Sequence, residues 1–125
     1  SGPGCPALLD FPFLPTTVVP TRSPATDKAS HLSTFSHDDE VATPGYYGVQ
    51  LGNGVGVRLT ARTRAGFGQF TYPVGASAGM LVEAGKSVDD GETKVQDGEI
   101  KLVGDNRLVA TVSSADFCGS KSAYK

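Results

Sequence analysis

The feature that most constrains the fold is a period-two alternation of apolar residues on both sides of a glycine-rich turn. Tyr47, Val49 and Leu51 would lie on one face of an extended chain, and residues 55–59 resume the alternation after the turn at 52–54. An extended chain points alternate side chains to opposite faces, and a turn with two glycines accommodates positive φ. The pattern therefore predicts a β-hairpin.

Further segments of the same character follow the hairpin, separated by short turns. Strands are predicted at residues 67–72, 79–84, 94–103 and 107–113, with a turn at 64–66. The run at 79–84 reads as a buried strand, the run at 94–103 is interrupted near Asp97-Gly98, and no stretch has a helical period. Five or six strands joined in this way predict an all-β fold, specifically an antiparallel β-sandwich.

The start of the chain has a different composition. Residues 1–44 contain seven of the eight prolines. Proline forbids helix interiors and interrupts sheet ladders. We therefore predict a single domain of 125 residues in which 1–44 is a Pro-rich loop region and 45–125 forms the strands. So long a loop is typical of an incomplete sandwich, and we expect an oligomeric partner or a further domain to cover its exposed edges.

Charge, hydropathy and cysteine content indicate which partners and metal sites the chain is not expected to have. The net charge is −2, from 11 basic and 13 acidic residues without a block of either sign, so we expect no nucleic-acid partner. No apolar run approaches the roughly 20 residues of a membrane span, so we expect no membrane partner. Cys5 and Cys118 belong to no metal-binding pattern, and the sequence leaves open whether they form a disulfide or stay free thiols.

The stretch from Ser36 to Tyr47, which reads Ser-His-Asp-Asp-Glu-Val-Ala-Thr-Pro-Gly-Tyr-Tyr, resembles a motif of glycoside hydrolase family 92. The family motif reads Ser-His-Glu-x-Glu-x-Ala-x-Pro-Gly-Tyr-Tyr. The resemblance continues, in order, through Gly2-Pro3-Gly4-Cys5, Asp10-Phe11-Pro12, Thr63-Arg64-Ala65-Gly66-Phe67, Phe70-Thr71-Tyr72-Pro73 and Phe117-Cys118-Gly119. One departure is Gly68, where family members tend to have His.

The resemblance implies the N-terminal, supersandwich-like domain of a secreted or cell-surface enzyme. Family 92 members are inverting, calcium-dependent exo-α-mannosidases that act on α-mannoside glycans and add an (α/α)6 barrel to the sandwich. The catalytic groups and calcium ligands would then lie in the barrel, outside this chain, so we expect no catalytic residue, metal or cofactor within it. The alternative is a non-catalytic carbohydrate-binding or structural β-sandwich module.

The resemblance also identifies candidate residues for the sugar pocket. Cys5 lies in a turn that resembles the family's Gly-x-Gly-Cys turn, which is directed toward the sugar, and Asp10 and Phe11 follow on the same loop. These three residues are candidates for one wall of the pocket. A structural turn, or half of a disulfide, explains Cys5 equally well.

Five further residues are candidates for an interface or a structural contact. His37 and Glu40 suit a metal site in principle, but their spacing favours a polar loop leading into the strand at Tyr46. Tyr46 and Tyr47 alternate, so one of them is expected to face the core and the other solvent or a partner. Arg64 either pairs with carboxylates of the barrel or caps its hairpin, and the sequence does not decide between these.

Overall fold

A computed structural model describes residues 11–23, 27, 32–84 and 94–115 of the chain. These residues form eight strands and no helix: β1 (Phe13–Thr16), β2 (Phe35–Thr43), β3 (Tyr46–Leu51), β4 (Gly56–Arg62), β5 (Ala65–Thr71), β6 (Gly79–Val82), β7 (Lys94–Val103) and β8 (Arg107–Ala115). The all-β, antiparallel prediction is confirmed, and the sheets are consistent with an incomplete sandwich. Nowhere in the described ranges is there a helix of the length and apolarity that a membrane crossing requires.

The strands β2, β3, β4 and β5 form a four-stranded antiparallel sheet in chain order. The predicted hairpin is confirmed as β3 and β4, with Val49 opposite Val57 and Gln50 opposite Gly56. One face of this sheet carries the core. Its buried residues are Val49, Val55 and Val57, and packed against them are Tyr47, Leu51, Leu59, Phe70 and Tyr72.

The turn between β3 and β4 is fixed by hydrogen bonds to its own residues and to more distant ones. Asn53 accepts the Val55 backbone N–H at 3.1 Å and donates its side-chain amide to the Pro15 carbonyl at 2.9 Å. The Gly52 N–H donates to the Thr34 carbonyl at 2.6 Å. Gly54 adopts a φ of 85°, in the left-handed region that favours glycine. The turn is therefore also hydrogen-bonded to Pro15 and Thr34, two residues outside the hairpin.

The prediction of a loop throughout 1–44 is wrong at two places, β1 and β2. Strand β1 contains Pro15, which is tolerated because β6 is the one strand that this four-residue strand pairs with among the described residues. Strand β2 contains the polar run around His37 and Glu40, for which the sequence predicts a loop. This strand pairs with β3. Backbone pairing with a neighbouring strand outweighs the low strand propensity of these residues.

The strand predicted near 79–84 is confirmed as β6, which pairs with β1. The prediction that this strand is buried is wrong. Thr16 lies beside Gly79 near one end, and the Glu83 N–H donates to the Pro12 carbonyl at the other, which makes the pair antiparallel. The Tyr72 hydroxyl donates to the Gly79 carbonyl at 2.6 Å. Met80 is 40% exposed, so an uninterrupted apolar run did not indicate a buried strand here.

The chain divides into two compact units, one of Leu14–Leu81 and the other of the remaining residues. In the second unit β7 and β8 form a hairpin whose pairing runs from Val103 opposite Arg107 to Lys94 opposite Ala115. The break predicted near Asp97-Gly98 is a register irregularity between Val95 and Asp97 within a continuous strand. Val112 is buried, while several apolar side chains of the hairpin are exposed: Ile100, Leu102, Val103, Leu108 and Val109.

Candidate functional site

The pairing of β2 with β3 is interrupted by a bulge. Phe35 lies opposite Leu51 and Glu40 opposite Val49, so residues 36–39 stand against Gln50 alone. A bulge redirects the side chains that follow it. Paired residues share a face of the sheet, so Glu40 points to the same face as the core residue Val49.

Glu40 is held there by two hydrogen bonds, one to each carboxylate oxygen. The Tyr47 hydroxyl donates to Oε1 at 2.6 Å, and Nδ1 of His37 lies 2.6 Å from Oε2. The Glu40 side chain is 23% exposed and that of His37 is 86% exposed. We call these three residues the Glu40 cluster. It connects the bulge to the edge of the core, because Tyr47 packs against the core.

The contacts shift the pKa values of both acids in this cluster. The hydrogen bonds from Tyr47 and then His37 lower the pKa of Glu40 below its ordinary value, against a smaller opposing effect of burial. The carboxylate in turn raises the pKa of Tyr47 above its ordinary value, because it stabilises the protonated hydroxyl that donates to it. Glu40 is therefore a charged anchor at neutral pH and not a proton donor.

The rest of the bulge orients His37. Its ring packs edge-on against Phe35, with ring centres 5.4 Å apart and planes at 87°. The Asp38 N–H donates to the Ser36 hydroxyl at 3.2 Å. With Nδ1 at Glu40, the Nε2 atom of His37 contacts no partner among the described residues and faces outward. A carboxylate at one ring nitrogen fixes the orientation in which the other nitrogen is presented.

Tyr46 and Tyr47 lie on opposite faces of β3, as their alternation predicts. Tyr47 packs against the core, whereas Tyr46 is 40% exposed. The Tyr46 ring leans along the strand over Gly48. A Cβ at Gly48 would stand 2.9 Å from the Tyr46 hydroxyl and 3.3 Å from Cε1 and Cζ of the ring. Any residue other than glycine at position 48 would therefore displace the Tyr46 ring.

Arg64 lies in the two-residue turn between β4 and β5 and is exposed. This turn comprises Thr63 and Arg64, so the prediction of a turn at 64–66 was wrong by one residue at its start and β5 begins at Ala65. Arg64 contacts no carboxylate in the part of the chain that the structure describes.

The candidates for the pocket wall are only partly described. Cys5, Asp10 and Cys118 lie outside the described residues, and Phe11 is 41% exposed. No group of three or more His, Cys, Asp or Glu within the described ranges is arranged to hold a metal ion. A cleft of about 470 Å³ is lined by residues 14–22 with Asp27, Leu32 and Asn53, and it includes none of the predicted site residues.

The structure gives a physical reason for Gly68, the departure noted in the sequence. Leu59 lies opposite Gly68, and a Cβ at Gly68 would stand 2.8 Å from Cε2 and 2.9 Å from Cζ of Phe70. The Phe70 ring therefore occupies the space of a side chain at position 68. Sequence reasoning found the departure and missed this packing, which no local pattern signals.

All 125 residues match the Glycosyl hydrolase family 92 N-terminal domain. The chain belongs to this family. No curated protein matches it. Membership assigns the chain to a family of glycoside hydrolases and confirms the resemblance seen at residues 36–47. In this family 92 domain the motif builds a continuous structure: the bulge, the Glu40 cluster, the turn at Pro44-Gly45 and the start of β3.

Proposed function

We propose that the chain is the N-terminal domain of a secreted, calcium-dependent, inverting exo-α-mannosidase whose hydrolysis takes place in a barrel outside these residues. The observation that carries the proposal is the match of residues 1–125 to the N-terminal domain of family 92. The domain would supply an interface to the barrel and part of the wall of the sugar pocket. Cys5, Asp10 and Phe11 are the proposed wall residues.

The chemistry of Glu40, the carboxylate of the family motif that is held by two hydrogen bonds, supports placing hydrolysis elsewhere. An inverting glycosidase needs a carboxylic acid of raised pKa and a second carboxylate about 6.5–9.5 Å away that activates water. Glu40 has both oxygens engaged and a lowered pKa, which is the opposite of what a general acid requires. Its geometry suits a structural anchor that presents His37.

The described residues also do not fit a calcium site. Calcium takes about six to eight oxygen ligands. No group of three or more His, Cys, Asp or Glu among the described residues is so arranged, and in the acidic bulge the oxygens of Glu40 are used by Tyr47 and His37. We place the calcium ion of the proposed enzyme in the barrel, as the family resemblance implies.

Release of mannose from an α-linked mannobiose tests the proposal. The product of the complete gene is compared with the 125-residue chain, each with calcium and after chelation. We expect calcium-dependent release by the complete product and none by the chain alone. Release by neither form would contradict the mannosidase proposal, and release by the chain alone would contradict the assignment of hydrolysis to a separate domain.

A further inference from the structure

The face of the four-stranded sheet opposite the core has its own organisation. Val41, Gly48, Arg58 and Gln69 lie opposite one another in a single row across β2, β3, β4 and β5. The ring of Tyr46 lies over Gly48, in the middle of this row. An aromatic ring is thus bracketed by Val41 on one neighbouring strand and by Arg58 on the other.

The side chains around the ring are free to contact a ligand. Val41 is 55% exposed, and Arg58 and Gln69 are exposed. The side chains of Arg58 and Gln69 make no hydrogen bond or ion pair with another described residue. The paired positions of this face hold no Asp or Glu: they are Val41, Thr43, Tyr46, Gly48, Gln50, Gly56, Arg58, Thr60, Arg62, Ala65, Phe67, Gln69 and Thr71.

This combination fits one kind of ligand better than the others. The face is too polar to pack as the inside of a sandwich, since threonine, glutamine and arginine dominate it. A pyranose ring offers apolar C–H groups that pack on an aromatic face, and hydroxyl groups around its rim that pair with donors and acceptors. Arg58 and Gln69 supply such groups beside Tyr46.

We propose that Tyr46, Val41, Arg58 and Gln69, the Tyr46 platform, bind a pyranose unit of a glycan. The proposal stands on the geometry of the sheet and needs no hydrolytic chemistry. Only the choice of an α-mannan as the first probe rests on the proposed function.

The test is affinity electrophoresis of the complete gene product in native gels that contain soluble α-mannan or, separately, a soluble β-glucan. Tyr46→Ala removes the ring. Gly48→Ala keeps the ring but places a methyl group against its edge, so the ring has to shift from its position over Gly48. Arg58→Ala removes an exposed side chain that has no hydrogen-bond or ion-pair partner in the described residues. Tyr46→Phe and Thr71→Ala are the controls, one keeping the ring and the other lying on the same face away from it.

We expect at least one polysaccharide to retard the unchanged protein. Tyr46→Ala and Gly48→Ala should weaken that interaction about tenfold, and Arg58→Ala by a smaller factor. Both controls should migrate like the unchanged protein. Retardation by neither polysaccharide would overturn the proposal, and so would retardation that persists in the Tyr46→Ala and Arg58→Ala variants.

The same proteins separate this inference from the proposed function. Retardation that depends on Tyr46 without any release of mannose from mannobiose would refute the mannosidase proposal and support the platform. Release of mannose without retardation that depends on Tyr46 would support the mannosidase proposal and refute the platform.

Discussion

The two faces of the four-stranded sheet are built from alternate residues of the same strands, yet they have opposite character. On the core face, Glu40, Val49, Val57 and Phe70 form one row. The neighbouring row on the outer face, around the Tyr46 ring, is polar and exposed. The single carboxylate of the core row is that of Glu40, at the β2 end of the row. It is hydrogen-bonded to Tyr47 and His37. We therefore expect the stability of the sheet to depend mainly on the core face.

The largest expected effect comes from adding a histidine side chain to the core face at position 68. Gly68→His places a Cβ within 2.8 Å of the Phe70 ring and adds an imidazole beside Leu59. We expect a loss of up to about 3 kcal/mol in the free energy of unfolding, since the Phe70 ring, which packs against the core, has to move to admit the new side chain. Urea unfolding measures it.

Gly66→His is the matched control for this substitution. It lies on the same strand and face, but its Cβ would meet only the Thr60 carbonyl, at 3.8 Å. We expect little change in stability. Equal losses in the two variants would show that the Phe70 ring is not what excludes a side chain from position 68.

A pair of valine substitutions compares the faces directly. Val57→Ala removes buried methyl groups from the core face and should cost about 2 kcal/mol of unfolding free energy. Val41→Ala, on the outer face of the same sheet, should cost less than about 0.5 kcal/mol. Thermal unfolding of both variants checks the difference. A Val41 effect as large as that of Val57 would mean that the outer face is packed against something in the folded protein.

The turn between β2 and β3 determines which residues reach which face. Thr43 lies opposite Tyr46, with only Pro44 and Gly45 between them, and Gly45 has a φ of 80°. No atom lies within 4 Å of a Cβ at Gly45, so Gly45→Ala tests backbone strain alone. We expect a loss of about 1 kcal/mol by denaturant unfolding, because non-glycine residues rarely adopt this conformation. An unchanged midpoint would show that the turn has another accessible geometry.

The sequence predicted the parts of this sheet in which a regular pattern is present. The alternation at Tyr47 to Leu51 and the glycines at 52–54 were sufficient to place the central hairpin. Strand β2 was missed because its bulge interrupts the alternation and because its residues are polar. The Glu40 cluster could not be predicted, since the contact of Glu40 with Tyr47 depends on the register that the bulge creates. The family motif identified these residues without indicating that they touch.

The smallest expected effect concerns the carboxylate at the end of the core row. Folding lowers the pKa of Glu40 from its ordinary 4.5, so the stability it contributes is complete above that pH and is lost as the pH falls through the lower folded value. Folding raises the pKa of Tyr47 from its ordinary 10.0, so that contribution is complete below pH 10.0 and is lost as the pH rises through the higher folded value. The hydrogen bond therefore stabilises the fold most between these two limits.

Tyr47→Phe removes this hydrogen bond and keeps the ring that packs on the core. We expect its melting temperature to lie below that of the unchanged chain at neutral pH, and the difference to shrink toward both acid and alkali. Tyr46→Phe is the matched control, because no hydrogen bond of the Tyr46 hydroxyl to a carboxylate is found in the described residues, and its difference should be small at every pH. A Tyr47 difference that does not change with pH would show that the hydroxyl stabilises the sheet without the charge of Glu40.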